Sequence, residues 1–114
     1  MSDIKTDRAS ADQGQFFFAA FAVSGGGVVK HPVFIVGKDG DSNDLRDVIV
    51  CKCTSQPARS PYDISVSLKL PTIVRTNKLY TIGRNQLLFK ISHTVDSSVI
   101  TNILQFVENA IKIR

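Results

Sequence analysis

The sequence is poor in the residue types on which several protein classes depend. Its 114 residues include no tryptophan, one methionine, two cysteines and two histidines. Two cysteines are too few for a secreted scaffold held together by several disulfides. The length suits one domain, because a domain usually takes roughly 100–200 residues. A multi-domain enzyme is therefore excluded.

Long apolar runs are also missing. The longest, Phe16–Val23, has eight residues, whereas a membrane helix needs roughly 20. No basic segment followed by an apolar stretch and a cleavage site opens the sequence, so we expect a cytoplasmic protein. Residues 1–11 are polar and show no periodicity, which predicts a disordered tail. A single domain is expected over residues 12–114.

The two cysteines lie close together in a strand-like segment. Cys51 and Cys53 occupy positions i and i+2, which point to the same face of a strand and rarely have the geometry of a disulfide. A metal site would need two further ligands, and only His31 and His93 are available, at no recognised spacing. We expect two buried thiols, no metal and no other cofactor.

Positive charge is concentrated in one part of the chain. The net charge is +4, from 14 Lys and Arg against 10 Asp and Glu. Between Lys52 and Lys90 the only acidic residue is Asp63, whereas seven residues there are basic. Such a basic segment favours a polyanionic partner, either nucleic acid or an acidic protein tail. A solvated surface of a slightly basic protein is the alternative.

Six segments have the composition or the period-two alternation of strands. They are Gln15–Val23, Pro32–Gly37, Asp47–Thr54, Asp63–Leu68, Thr72–Arg75 and Leu79–Ile82. We expect a bend at Thr76–Lys78 and a helical turn within Arg84–Lys90. After Asp96 the apolar residues follow a helical period, which predicts an amphipathic helix capped by Asp96 or Ser97. The pattern predicts a mainly β fold with a C-terminal helix, as a strongly bent antiparallel sheet or barrel.

Common catalytic motifs are absent, but several polar side chains lie at expected strand ends. His31 begins the second strand, Thr54 and Ser55 end the third, and Arg75 precedes the bend. These residue types suit RNA cleavage without a metal, because the ribose 2′-OH is already beside the phosphate that it attacks. Imidazole can move the proton, and guanidinium and hydroxyl groups can bind the phosphate.

Each of these side chains also has a structural interpretation. A histidine before a proline is commonly a surface or turn residue, and Thr-Ser at a strand end commonly caps a turn. A lone arginine is usually solvated. The residues alone leave both interpretations open.

Four segments, in order, resemble the PemK/MazF family, the toxins of bacterial toxin–antitoxin pairs. Asp12–Gln15 before an apolar strand is similar to the family's opening segment. Lys30–Val36 resembles its Arg-Pro-apolar strand, and Val48–Gln56 its strand ending in Thr-Thr or Thr-Ser. Val74–Ile82 resembles its Val-Arg-x-Asp-Gln-x-x-Thr-Ile segment. The resemblance covers roughly residues 12–113.

The resemblance implies a fold, an activity and partners. The fold is an SH3-like small antiparallel barrel with a C-terminal helix, in a homodimer. The activity is metal-independent cleavage of single-stranded RNA that leaves a 2′,3′-cyclic phosphate. The partners are RNA, such as mRNA, and an antitoxin protein whose acidic, apolar tail covers the RNA groove. No membrane is involved.

The resemblance also implies roles for individual residues. Thr54 is the expected contact to the scissile phosphate, with Ser55 beside it and Arg75 as the cation there. The expected catalytic residues are His31, Thr54 and Arg75. Contacts with the rest of the RNA are expected from Lys30, Ser55, Gln56, Arg59, Asn77, Lys78 and Arg84.

Two positions depart from the family pattern. The family's arginine before proline is His31 here, and the acidic residue two positions after Val-Arg is Asn77, which cannot accept a proton. Imidazole can act as acid or base, so His31 can take the role of that arginine. The alternative is a catalytically weak or inactive module on the same fold that binds RNA or the antitoxin.

The sequence disfavours one further function and leaves a second one open. The CcdB gyrase poisons share the fold, but they depend on a C-terminal Trp-Gly-Ile. This chain has no tryptophan and ends Ile111–Arg114, so gyrase poisoning is disfavoured. A scaffold without a binding chemistry of its own is the remaining alternative.

Overall fold

A six-stranded antiparallel sheet forms the centre of the protein. The computed structural model describes residues 4–37, 46–93 and 95–113. The elements are α1 (Ile4–Ala9), β1 (Phe16–Val23), β2 (Gly27–Ile35), β3 (Asp47–Thr54), β4 (Asp63–Ser67), β5 (Pro71–Gly83), β6 (Leu87–Lys90) and α2 (Ser97–Ile111). The predicted class, mainly antiparallel β with a C-terminal helix, is confirmed.

The sheet is open rather than closed into a barrel. Its strand order is β4-β5-β3-β2-β1-β6, and every described pair is antiparallel. Within the described ranges β4 and β6 do not pair with each other, so they are the two edge strands. The expected antiparallel sheet is therefore present, and the expected closure is not.

The hairpin between β1 and β2 depends on two glycines. Val23 pairs with Gly27, so the turn consists of Ser24, Gly25 and Gly26. Gly25 and Gly26 have φ angles of 92° and 91°, which residues with a side chain rarely adopt. The two glycines therefore allow β1 to reverse sharply into β2.

Strand β2 begins earlier than the sequence predicts. Pro32 was expected to open it, but the strand already starts at Gly27, and Pro32 pairs with Phe18 of β1. Pairing of β2 with β3 starts only at Val33. Pro32 is therefore tolerated, because its missing N–H lies in a stretch of β2 that has no described pairing with β3.

The two faces of the sheet carry separate apolar cores. The core on the α2 face consists of Phe16, Phe34, Cys51, Cys53, Val66, Leu68, Val74, Ile103 and Val107. The core on the opposite face consists of Ala11, Phe17, Ala19, Val33, Ile35, Val48, Val50, Ile82 and Leu87. Neighbouring strand residues alternate between these cores, because successive side chains of a strand point to opposite faces.

Helix α2 packs on its own face of the sheet as predicted. Asp96 precedes the helix and its side chain accepts a hydrogen bond from the Ser98 N–H at 3.4 Å, which is the expected N-cap. Ile103 and Val107, one turn apart, are the buried residues that contact the sheet. In the part of the chain that the structure describes, no helix is long and apolar enough to cross a membrane.

Strand β5 is one long strand where two short ones were predicted. It runs from Pro71 to Gly83, and its pairing with β3 shifts between Cys51 and Cys53. Cys51 pairs with Leu79 and Cys53 with Val74, so one residue of β3 stands opposite four of β5. The expected bend is therefore a bulge within a continuous strand.

A disordered tail was predicted for residues 1–11, and the structure describes residues 4–11 of it. Residues 4–11 are ordered against the sheet, whereas residues 1–3 lie outside the described ranges. Helix α1 packs on β6, and the Arg8 side chain donates a hydrogen bond to the carbonyl of Leu87. Ala11 is buried in the core opposite α2. The polar composition of this segment gave no sign of this docking.

Arg84 holds the end of α1 in place. It lies in the 3₁₀ turn Arg84–Gln86 between β5 and β6 and is only 7% exposed. Its Nη1 donates hydrogen bonds to the carbonyls of Arg8 and Ala11, each at 3.0 Å. The Arg8 carbonyl belongs to the last turn of α1, and the Ala11 carbonyl follows the helix. Carbonyls at the end of a helix lack donor partners within the helix itself, so they need donors from elsewhere. Arg84 is therefore a structural residue.

We predict that Arg84→Met lowers the free energy of unfolding by about 2 kcal/mol, since it removes charged hydrogen bonds to buried carbonyls. Urea denaturation measures the loss, and limited proteolysis near Ala9 should become faster. Lys69→Met is the matched control, because Lys69 is an exposed cation. Equal stability of the two variants would contradict this role of Arg84.

Candidate active site

One open depression of about 390 Å³ brings together the three expected catalytic residues. It is lined by His31, Lys52, Thr54, Arg59, Arg75, Lys78 and Tyr80. His31 comes from β2 and Thr54 from β3, whereas β5 supplies Arg75. The depression carries four of the seven Lys and Arg side chains of the basic segment.

Strand geometry explains how this depression forms on the face opposite α2. On β3, Val50 belongs to the core of that face, so Lys52 and Thr54 point the same way. On β2, Val33 and Ile35 belong to the same core, which places His31 there as well. The face of the sheet opposite α2 is therefore apolar where it forms the core and polar at the ends of β2 and β3, where the depression lies.

The bulge in β5 adds two cations to this face. In a regular strand Arg75 and Lys78 would point to opposite faces, because they are three residues apart. Here Arg75 and Lys78 are the first and last of the four bulged residues of β5. The bulge turns both side chains to the same face, where they line the depression. The shift also places Lys52 of β3 opposite the bulge.

Arg75 is held by a buried carboxylate. The Arg75 Nη1 lies 3.0 Å from Oδ2 of Asp63, its cross-strand neighbour on β4. The side chains are 10% and 1% exposed, respectively. The same Asp63 oxygen accepts the Arg59 N–H at 2.9 Å. Asp63 therefore orients the Arg75 guanidinium and fixes the loop that carries Arg59.

Thr54 ends β3 with its hydroxyl at the start of the next loop. Its Oγ1 accepts the Gln56 N–H at 3.1 Å. A hydroxyl that accepts a hydrogen bond from the backbone can still donate through its own O–H. Because Thr54 also lines the depression, this donor can reach an anion bound there.

His31 is part of a cluster of rings around Lys52. The imidazole centroid lies 5.8 Å from the Phe21 ring in an edge arrangement, and the Phe21 and Tyr80 rings are 5.7 Å apart. The Lys52 ammonium lies 5.3 Å from the Phe21 centroid and 5.8 Å from that of Tyr80. Burial, and secondarily the positive charge of Lys52, lower the pKa of His31 from its ordinary 6.5. The neutral imidazole is therefore favoured.

The remaining expected contact residues lie around this depression or away from it. Ser55 and Gln56 line a second, neighbouring depression of about 320 Å³ that contains no charged side chain. Lys30 and Asn77 are exposed and line neither depression. Arg84 does not join the site, because its guanidinium is buried against α1. The structure therefore does not bring Arg84 to the depression at which an RNA contact was predicted for it.

Three residues of the site carried no strong signal in the sequence. Lys52 and Tyr80 line the depression, and Phe21 packs against both. The period-two rule could have found Lys52, because it shares a face with Thr54. Phe21 and Tyr80 are aromatic residues in apolar strands, where core packing is the default interpretation.

The cysteines lie on the α2 face, away from the depression. Both are free and buried, and burial raises the pKa of the Cys51 thiol to about 12. Burial, and secondarily Cys51, raise the pKa of Cys53 as well. In the described ranges no three His, Cys, Asp or Glu side chains group together as metal ligands.

The sheet, its C-terminal helix and the cationic depression define a small β protein with a site suited to a polyanion. A family model described as the PemK-like, MazF-like toxin of type II toxin–antitoxin systems matches residues 12–111. The chain therefore belongs to this toxin family. A search of the curated proteins finds no match.

Solved structures of toxins share the fold. An endoribonuclease from a Mycobacterial species, solved with its cognate antitoxin, has a TM-score of 0.71 at 18% identity, over 92% of this chain and 98% of that one. MazF in the MazE-MazF complex of Deinococcus radiodurans has a TM-score of 0.75 at 12% identity, over 90% and 97%. The Mycobacterium tuberculosis toxin MazF-mt6 has a TM-score of 0.66 at 18% identity, over 86% and 98%.

Proposed function

We propose that this toxin is an endoribonuclease that cleaves single-stranded RNA without a metal ion. The observation that carries the proposal is the convergence of His31, Thr54 and Arg75 in one cationic depression. An imidazole, a hydroxyl and a guanidinium suffice for a reaction whose nucleophile belongs to the substrate. The endoribonuclease among the structural neighbours supports this choice of substrate.

The chemistry proceeds by attack of the ribose 2′-oxygen on the adjacent phosphorus. His31 accepts the 2′-OH proton, the new O–P bond forms, and the bond to the 5′ oxygen breaks. The leaving 5′ oxygen takes a proton from solvent water at the open depression, His31 later returns its proton to solvent, and the other product is a 2′,3′-cyclic phosphate. The lowered pKa of His31 suits a general base, because it favours the neutral imidazole that can accept a proton.

Arg75 and Thr54 stabilise the negative charge that grows on the phosphate. The guanidinium of Arg75 can donate two parallel hydrogen bonds to phosphate oxygens, since only its Nη1 is engaged by Asp63 in the described residues. Thr54 adds a hydroxyl donor from β3. Donors fixed before the reaction lower the barrier more than mobile ones.

The surroundings of the depression suit a strand of RNA. Lys78 and Arg59 are exposed cations at the depression and can bind flanking phosphates. Ser55 and Gln56 line the uncharged neighbouring depression, where a base can find hydrogen-bond partners. Lys30 and Asn77 remain proposed contacts at the periphery.

The expected assembly follows from the family. We propose a homodimer in the cytoplasm and a regulatory antitoxin with an acidic tail. The basic depression supports an acidic tail, because such a tail would compete with RNA for the same cations. Two structural neighbours have an antitoxin in their complexes.

A binding module without catalysis is the second candidate. It is favoured by Asn77, which is exposed in the bulge and cannot accept a proton where the family pattern has an acidic residue. Such a module would bind RNA in a salt-sensitive manner and leave it intact.

Cleavage of a long single-stranded RNA in EDTA separates the two candidates. We expect the purified protein to cut the RNA and to leave 2′,3′-cyclic phosphate ends, which phosphatase treatment after acid opening reveals. His31→Ala and Arg75→Ala should leave the RNA intact under the same conditions. Intact RNA at high excess of the wild-type protein would exclude the endoribonuclease and favour the binding module.

We also predict the pH dependence of cleavage. A general base must be neutral, so the rate should rise with pH on a limb whose midpoint lies below 6.5, the ordinary pKa of histidine. Single-turnover rates from about pH 4.5 to 8 measure this limb. A midpoint above 6.5, or a rate that falls through this range, would show that His31 is not the base.

A further inference from the structure

Lys52 occupies a special position at the centre of the depression. It is the one residue of β3 that stands opposite the bulge of β5. On the β2 side its backbone is paired with Val33. On the β5 side it stands opposite the bulge and has no described strand partner. Unlike Lys78 and Arg59, Lys52 is partly buried.

Two aromatic rings hold the Lys52 ammonium in place. Its Nζ lies within 6 Å of the ring centroids of Phe21 and Tyr80, at 5.3 and 5.8 Å. A cation at this distance is attracted by the faces of the rings. The ammonium and the His31 imidazole therefore both lie next to the Phe21 ring. A fixed cation loses little freedom when it binds an anion.

Among the described residues, no carboxylate compensates the charge of Lys52. Arg75 shares its charge with Asp63 at 3.0 Å, whereas no carboxylate pairs with Lys52 in the described part of the chain. The Lys52 ammonium is therefore available to an anionic ligand, whereas part of the Arg75 guanidinium is already engaged by Asp63.

We propose that Lys52 is a catalytic residue that binds the scissile phosphate between His31 and Arg75. This role rests on the proposed RNA cleavage and adds a cation that the family resemblance did not assign. Lys52 then supplies the charge that an arginine at position 31 would have brought, while His31 stays available to move the proton. The two tasks are divided between neighbouring side chains.

The position of Lys52 also bears on His31. Burial, and secondarily the positive charge of Lys52, lower the pKa of His31. The other charged and titratable groups that line the depression with His31 are Arg59, Arg75 with its partner Asp63, Lys78 and Tyr80.

The test compares Lys52→Met, which removes the charge but keeps a long unbranched side chain, with Lys52→Arg, which keeps the charge. We expect Lys52→Met to lower the single-turnover rate by about 10²-fold, and Lys52→Arg to retain about a tenth or more of it. Lys69→Met is the control for loss of a surface cation. Thermal unfolding of all variants shows whether the loss reflects folding.

A second measurement does not need RNA cleavage. Titration of inorganic phosphate, followed by NMR of the His31 imidazole, should show binding that is weakened at least about tenfold in Lys52→Met. The pKa of His31 should rise in the same variant, because a nearby positive charge is lost. His93, which lies outside the depression, serves as an internal reference.

The two measurements separate the possible failures. If wild-type protein binds phosphate through Lys52 but leaves RNA intact, the proposed function fails and the anion site stands. If Lys52→Met cleaves RNA and binds phosphate like the wild type, the role of Lys52 is overturned, and the side chain only packs against Phe21 and Tyr80.

Discussion

Replacing His31 with alanine should lower RNA cleavage by about a thousandfold, because the reaction loses its general base. The imidazole is only partly buried, and its packing contact is the edge of the Phe21 ring at 5.8 Å. The variant should therefore fold and melt close to the wild type. Single-turnover cleavage of a defined RNA, together with circular dichroism, measures both properties.

Two further variants make this result specific. His93→Ala removes the other histidine, which is exposed and outside the depression, and should cleave normally. His31→Arg places a permanent cation at position 31, so any activity that remains should lose its rise between about pH 5 and 7. Wild-type rates for His31→Ala would remove His31 from the mechanism.

Replacing Asp63 with alanine should lower the free energy of unfolding by about 3 kcal/mol, because it leaves the buried Arg75 charge without its partner. The two side chains are 1% and 10% exposed, so water cannot replace the carboxylate fully. The loop at Arg59 also loses a hydrogen-bond acceptor. Urea denaturation measures the stability, and cleavage should fall because Arg75 is no longer oriented.

A double variant separates the structural from the catalytic part of this pair. Asp63→Leu with Arg75→Met removes both charges, and such replacements commonly restore stability. We expect this protein to fold well and to cleave no RNA. Asp63→Asn keeps an oxygen acceptor and should lose less stability than Asp63→Ala. If the double variant still cleaves RNA, Arg75 does not act on the phosphate.

The sequence allowed much of the fold to be predicted, because its strands are patterned locally. β3 has the predicted bounds Asp47–Thr54, and Asp96 caps α2 as expected. The docking of α1 was not predictable, because it depends on Arg84, which lies more than 70 residues away in sequence. A charged residue in a basic segment gives no sign that it will be buried against backbone carbonyls.

In the candidate site, too, the residues marked by local strand patterns were predictable, and those that depend on neighbours on other strands were not. Thr54 and Arg75 were found as residues at strand ends, and the structure brings them together with His31. Lys52 was not singled out, because its importance depends on the aromatic rings of two other strands. Cross-strand neighbours of this kind are set by the register, which a single sequence does not specify.

The bulge in β5 gives this site a place where length can change without loss of the sheet. Val74 and Leu79 pack on the same face although they are five residues apart, because the bulge between them absorbs the odd residue. The pairing of β5 with β3 on the two flanks is set outside the bulge. The spacing of the cations at the proposed RNA site can therefore change within the bulge while the sheet on both flanks stays the same.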